Sequence, residues 1–182
     1  MPTEIRIYFE GDKSLKPGFH AFFKELRKQA TDRRCRFELI RGRSGKRAHS
    51  DFIKAAKSHQ KACNILLIDS DGPNFDNRDD SIFWMVQMME AWFYADKEKL
   101  EEFYGRDFRR DALKANPNVE EIAKADLISG LKAATGKHNY FDNKTSHGPA
   151  LLALIRPEKV RKAAPNCDRL FTAVLAKLAE PD

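Results

Sequence analysis

Cysteine is scarce. Cys35, Cys63 and Cys167 are the only three in 182 residues. An odd number at wide spacing fits reduced thiols in a cytoplasmic setting better than a disulfide framework or a zinc knuckle. Long apolar runs are missing too. The longest purely aliphatic stretch, Ile65-Leu66-Leu67-Ile68, is far shorter than the roughly 20 residues of a membrane-spanning helix. The first residues, Met1 to Arg6, enter an alternating pattern with no basic-then-apolar leader, so secretion is not expected. No internal repeat or low-complexity tract is present. What remains is a chain that is 42% hydrophobic and 33% charged with 13 Phe. That excludes disorder as its main state and suits one domain over 1–182, an α/β core at 1–96 and a helical elaboration at 97–182.

The net charge of +6 is unevenly spread. Residues 1–62 hold 16 basic and 7 acidic side chains, 63–110 hold 6 and 11, and 111–182 hold 11 and 9. A basic front beside an acidic middle suits a protein that grips an anionic polymer with one surface and cations with another. Chance asymmetry on a solvated surface is the alternative.

Ile5-Arg6-Ile7-Tyr8-Phe9 alternates and reads as a strand that stops at Glu10-Gly11-Asp12. Pro17-Gly18 opens a helix in which Phe19, Phe22, Phe23 and Leu26 share one face. Arg36 to Ile40 is a second strand, and Gly42 to Arg47 reads as a loop. Ser50-Asp51 caps a helix to His59, and Asn64 to Ile68 is a strand buried on both faces. Strands alternating with helices predict an α/β fold with a mostly parallel four-stranded sheet and right-handed crossovers. Asp71 to Asp80 is a loop by composition. Ile82 to Val86 is taken as the fourth strand with a helix from about Met88, the rival being one helix from Ser81 to Tyr94. Beyond Asp96 helices are expected at 97–104, 119–133, 149–155 and 157–163, with a last one carrying Leu170 to Leu178, and Gly136 to Gly148 as a long loop.

The strongest chemical signal is Asp69-Ser70-Asp71-Gly72 at the end of a buried strand. Carboxylates spaced i, i+2 where a buried strand ends project to the same side, and there they can converge on a hard cation. Glu10 ends the first strand at the same rim, where open α/β folds bind ligands. Three crowded carboxylates repel unless a cation such as Mg²⁺ or Mn²⁺ neutralises them, which suits phosphoryl transfer. An Asx-type turn is the plainer reading of Asp-x-Asp. Seven cations fall between Arg33 and Arg47, opposed only by Glu38. On the Gly-Ser loop among them, Arg41, Arg43, Ser44, Lys46 and Arg47 are candidates to hold a nucleic-acid phosphate, or form a solvated face. This is not a nucleotide P-loop, because that motif needs Gly where Ile40 stands. Lys137, His138, Lys144 and His147 lie in the late loop; Lys144 is a candidate to stabilise a phosphoryl transition state and His147 to move a proton. No nucleophile elbow or paired Ser-His or Cys-His motif is present.

Tyr8-Phe9-Glu10-Gly11, Gly42-Arg43-Ser44, Leu67 to Gly72 and Met85 to Asp96, whose Met-Glu-Ala-Trp segment is the most specific, together resemble a bacterial family catalogued as domain of unknown function 4276. That family is TOPRIM-like, after topoisomerases and primases. The resemblance runs from about residue 5 to 175. It implies Glu10 as acid/base or metal ligand and Asp69 and Asp71 as ligands of Mg²⁺. It also implies a relation to the nuclease subunit of the PARIS anti-phage system, which works beside an ATPase partner. Lys13 and Glu90 are further candidates, Lys13 for a phosphate contact and Glu90 for a carboxylate behind the site or a packing ion pair.

The expectation is a Mg²⁺-dependent nuclease or related phosphoryl-transfer enzyme acting on DNA or RNA, in a phage-defence setting, through Glu10, Asp69, Asp71 and Lys144. The alternative is a non-catalytic module that docks on nucleic acid or an ATPase. Both leave a homodimer open.

Overall fold

A computed structural model describes residues 1–76 and 78–181. Asn77, inside the expected 71–80 loop, and Asp182, at the end of the expected domain, lie outside the described residues. Four strands, β1 (Glu4–Glu10), β2 (Arg36–Gly42), β3 (Ala62–Asp69) and β4 (Ile82–Met85), form one sheet in the order β2-β1-β3-β4. Every pairing is parallel. The expected α/β architecture, with flanking helices and a helical C-terminal half, is present.

Between β1 and β2 run α1 (Leu15–Phe22) and α2 (Lys24–Asp32), and α3 (Gly45–Ser58) connects β2 to β3. The chain steps from β1 to β2 in one direction and then returns past β1 to β3. With crossovers of one hand, such a reversal puts successive helices on opposite faces. Accordingly, Ile5, Ile7, Phe9, Leu39, Ile65, Leu67 and Phe83 pack with α1, α2 and the C-terminal half. Tyr8 and Leu66 on the other face pack with Ala48, Phe52 and Ala55 of α3. The alternation of β1 is thus split between two unequal layers.

Phe19, Phe22, Phe23 and Leu26 are all buried, as their spacing predicts, but a break at Phe23 divides the expected single helix. Phe22 stacks on the fully buried Trp92 with centroids 5.0 Å apart and meets Phe171 edge-on at 5.8 Å. The remaining helices are α4 (Ala91–Tyr94), α5 (Lys97–Tyr104), α6 (Lys124–Thr135), α7 (Lys144–Leu154), α8 (Pro157–Ala163) and α9 (Pro165–Ala179). Buried acids tie this half together. Arg156 forks onto Asp96 at 2.8 and 2.7 Å, and Asn166 donates twice to Glu120 at 2.8 Å. Gly18 lets α7 approach α1, since a Cβ there would fall 2.6 Å from the Pro149 carbonyl oxygen.

Several boundaries differ from expectation: α1 begins at Leu15 rather than at Pro17, and the helix expected from about Met88 begins at Ala91. The residues 45–47 are helical, because Ser44 rather than Ser50 caps α3, its hydroxyl accepting from the Arg47 amide at 3.3 Å. The residues 144–148 are also helical: Pro149 lies inside α7 instead of opening it. The first part of the expected 119–133 helix is a short 3₁₀ turn at Val119–Glu121. The three cysteines are free, and no helix among the described residues is long and apolar enough to cross a membrane.

Phe22→Ala should lower the unfolding free energy by about 3–5 kcal/mol, the usual cost of deleting a buried aromatic ring. Ile53→Ala, at a side chain 41% exposed, should stay within about 0.5 kcal/mol. Urea unfolding followed by far-UV circular dichroism checks both.

Candidate metal and phosphate site at the sheet's switch point

β1 and β3 are neighbours whose chain connections leave in opposite directions. Their carboxyl ends therefore flank the crevice where open parallel sheets take ligands. In register Phe9 pairs with Leu67, so Glu10 and Asp69 end adjacent strands within about one residue of the same level. Both line a cleft of about 370 Å³, together with Gly11, Asp12, Leu15, Arg41, Arg43, Met85, Met89 and Lys144. Carboxylates, arginines from the end of β2 and the first residues of α7 all line it.

Glu10 lies against the start of α3. A Cβ at Gly45 would fall 2.8 Å from Glu10 Oε2, so a side chain there would displace the carboxylate. Among the described residues the Glu10 side chain has no hydrogen-bond or ion-pair partner. Asp69 Oδ1 accepts the Met89 amide at 2.9 Å. Burial, with Glu90 and then Glu10 adding repulsion, pushes the Asp69 carboxyl up to about 8, against smaller opposing effects of the Met89 amide and Lys144. Arg41 donates Nε–H to the Gly11 carbonyl at 3.1 Å, which pins its guanidinium at the lip of the cleft. Arg43 is exposed at that lip.

The profile of a family described as domain of unknown function (DUF4276) matches residues 12–175. The chain belongs to this family. Comparison with curated proteins and with solved structures found no match.

The fold of this DUF4276 chain gathers some of the expected residues and separates others. Glu10, Asp69, Arg41, Arg43 and Lys144 meet in the cleft. Asp71 does not join them. The strand has ended by then, and Asp71 takes a left-handed conformation (φ 57°), so the i, i+2 rule of a strand no longer sets its direction. Its amide bonds the Gln87 carbonyl at 3.0 Å, and its carboxylate pairs with Lys124 on α6. Among the described residues no three His, Cys, Asp or Glu side chains are grouped to hold a metal ion.

The seven-cation segment is not one surface either. Arg33 donates to the Leu178 carbonyl and Arg36 pairs with Glu4 at 3.0 Å, both at the amino end of β2, with Arg41 and Arg43 at its carboxyl end. Ser44 serves as the α3 cap; Lys46 and Arg47 are exposed outside the cleft, and Arg47 pairs with Asp51 at 3.3 Å. Lys13 is exposed and does not line the cleft. His147 meets the Tyr104 hydroxyl at 3.1 Å through Nδ1, and burial holds its imidazole below the ordinary range. Lys137 and His138 face Asp107 at 2.6 and 3.6 Å.

Two residues that the sequence did not single out belong here. Tyr140, fully buried, donates its hydroxyl to Glu90 Oε1 at 2.8 Å, and Lys124 pairs with Asp71. Its ammonium is held above the usual lysine range by the Asp71 hydrogen bond, with Asp69 and Glu90 adding to the effect. A Lys at the start of a helix and a Tyr after a turn are too common to be picked out alone.

A carboxyl that keeps its proton in the fold contributes stability fully present below about pH 4 and lost as pH rises through about 8. The melting temperature of the parent protein should therefore fall relative to Asp69→Asn between about pH 4 and pH 8. A difference that stays constant across that window would mean Asp69 is ionised throughout.

Proposed function

We propose that the chain is a metal-dependent phosphodiesterase that cleaves nucleic acid, with Mg²⁺ or Mn²⁺ held by Glu10 and Asp69. The observation that carries this is two carboxylates at adjacent strand ends facing the same cleft as Arg41, Arg43 and Lys144. Carboxylates alone suit a cation and guanidinium groups alone suit an anion; both around one cleft suit a phosphate held against a cation.

The donor set fits such an ion. Glu10 is uncommitted among the described residues, Asp69 has an oxygen besides the one held by Met89, and Asp69 is short of positive charge. Mg²⁺ is commonly held by one or two carboxylates, with water and phosphate oxygens completing its shell. Asp71, paired with Lys124, is not part of the set. When bound, the ion neutralises charge on the phosphoryl oxygens. Arg41 and Arg43 would hold the phosphate backbone, Glu10 would take the proton of the attacking water, and Lys144 would meet charge on the departing oxygen. The TOPRIM-like resemblance supports the same chemistry, and the likeness to an anti-phage nuclease supports phage defence beside an ATPase as its setting.

Incubation with DNA, RNA and tRNA in Mg²⁺ or Mn²⁺ should give cleavage. Glu10→Gln and Asp69→Asn should each lower it by about 10²-fold or more, the scale of losing one electrostatic group in a transition state. Asp71→Asn should stay within about threefold. Cleavage indifferent to Glu10 and Asp69 would overturn the site. Salt-sensitive binding without turnover, surviving loss of both carboxylates, would instead identify a nucleic-acid docking module.

A further inference from the structure

We infer that the buried Glu90–Tyr140 pair is a positioning device that fixes the Lys144 ammonium at the cleft as a built-in cation, in the role a second divalent ion would otherwise fill. The inference rests on the phosphodiesterase reading and deepens it.

Glu90 is 0% exposed and stands immediately before α4. Its Oε1 accepts both the Tyr140 hydroxyl at 2.8 Å and the Lys144 ammonium at 2.7 Å, while Oε2 is buried with no hydrogen-bond partner. An ionised carboxylate in such a place is tolerable only beside a cation, and Lys144 is the cation that reaches it. The dependence runs both ways. A lysine side chain 44% exposed at the start of α7 would otherwise sample many rotamers, and the contact with Glu90 selects one.

Tyr140 fixes Glu90 in turn. Tyr140 is itself 0% exposed, its amide bonds Thr135 Oγ1 at 3.0 Å, and its ring meets Phe93 edge-on at 5.7 Å. A connected line therefore runs from the packed interior through Tyr140 and Glu90 to Lys144. The ammonium has three N–H groups and spends one on Glu90; it lines the cleft with Asp69 and Glu10.

Two-ion sites need carboxylates that bridge ions about 3.5–4 Å apart. Glu10 and Asp69 offer carboxylates to the cleft, the exposed Asp12 accepts the Ser14 amide at 2.8 Å, Glu90 is committed to Lys144 and Tyr140, and Asp71 is committed to Lys124. That leaves donors for one ion. The charge that a second ion would meet falls to Lys144.

The test counts ions and compares kinetics on the full chain. Mn²⁺ titration followed by electron paramagnetic resonance should give one ion per chain in the parent, and the same count in Lys144→Met, Glu90→Gln and Tyr140→Phe. In Mg²⁺ each variant should lose at least tenfold in kcat on a cleaved oligonucleotide, with KM within about threefold. The double variant Glu90→Gln with Lys144→Met should be no slower than Lys144→Met alone, as for groups acting through one atom. Lys144→Arg should recover part of the loss. Thermal melting of each variant verifies folding, and Tyr140→Phe, which keeps the ring, replaces Glu90→Gln if the latter does not fold. Two ions per chain, loss of the ion in Glu90→Gln, or additive kinetic losses would overturn this inference and leave the phosphodiesterase reading intact. No ion bound to the parent protein would overturn both.

Discussion

The carboxylates of Glu10, Asp69 and Glu90 repel one another near the carboxyl ends of β1 and β3, and much of what surrounds them offsets that repulsion. Glu10 lies at the start of α3, where the helix dipole favours negative charge and only Gly45 leaves room for it. Asp69 accepts a backbone amide but remains pushed up to about 8. Glu90 is compensated by Lys144 and Tyr140, and Lys124 stands beyond, bound to Asp71. Glu90 and Asp71 are thus compensated by lysines while Glu10 and Asp69 are not, and the proposed cation is assigned to that second pair.

The sheet topology creates that constraint. Because the chain reverses after β2 and returns to pair β3 with β1, two acidic strand ends that are 59 residues apart in sequence become neighbours. The same reversal assigns α3 to the thinner face and leaves the thicker face to α1, α2 and the helical half. From that side α7 delivers Lys144, held close to α1 through Gly18.

The strands were legible because buried parallel strands leave continuous apolar runs, and Asn64 to Ile68 is one. Glu10 and Asp69 were legible as the acids that end such runs. Asp71 was misleading: the i, i+2 rule holds only while the strand continues, and a left-handed residue turned the side chain to Lys124. The basic segment misled for a related reason. Spacing in sequence ignores the rise of β2, about 3.3 Å per residue, which separates Arg36 from Arg43 by most of the sheet's depth. The start of α7 was hidden by Pro149, a residue that reads as a helix start, and with it the role of Lys144 as a helical side chain. The Glu90–Tyr140 contact spans 50 residues, and no local pattern announces it.

The most direct test of the account is the anomalous difference map of a crystal soaked in Mn²⁺. One peak coordinated by Glu10 and Asp69, with the Lys144 ammonium still on Glu90 and Asp71 still on Lys124, is the predicted result. A peak coordinated by Asp71 with Lys124 displaced, or no peak at the cleft, would contradict it.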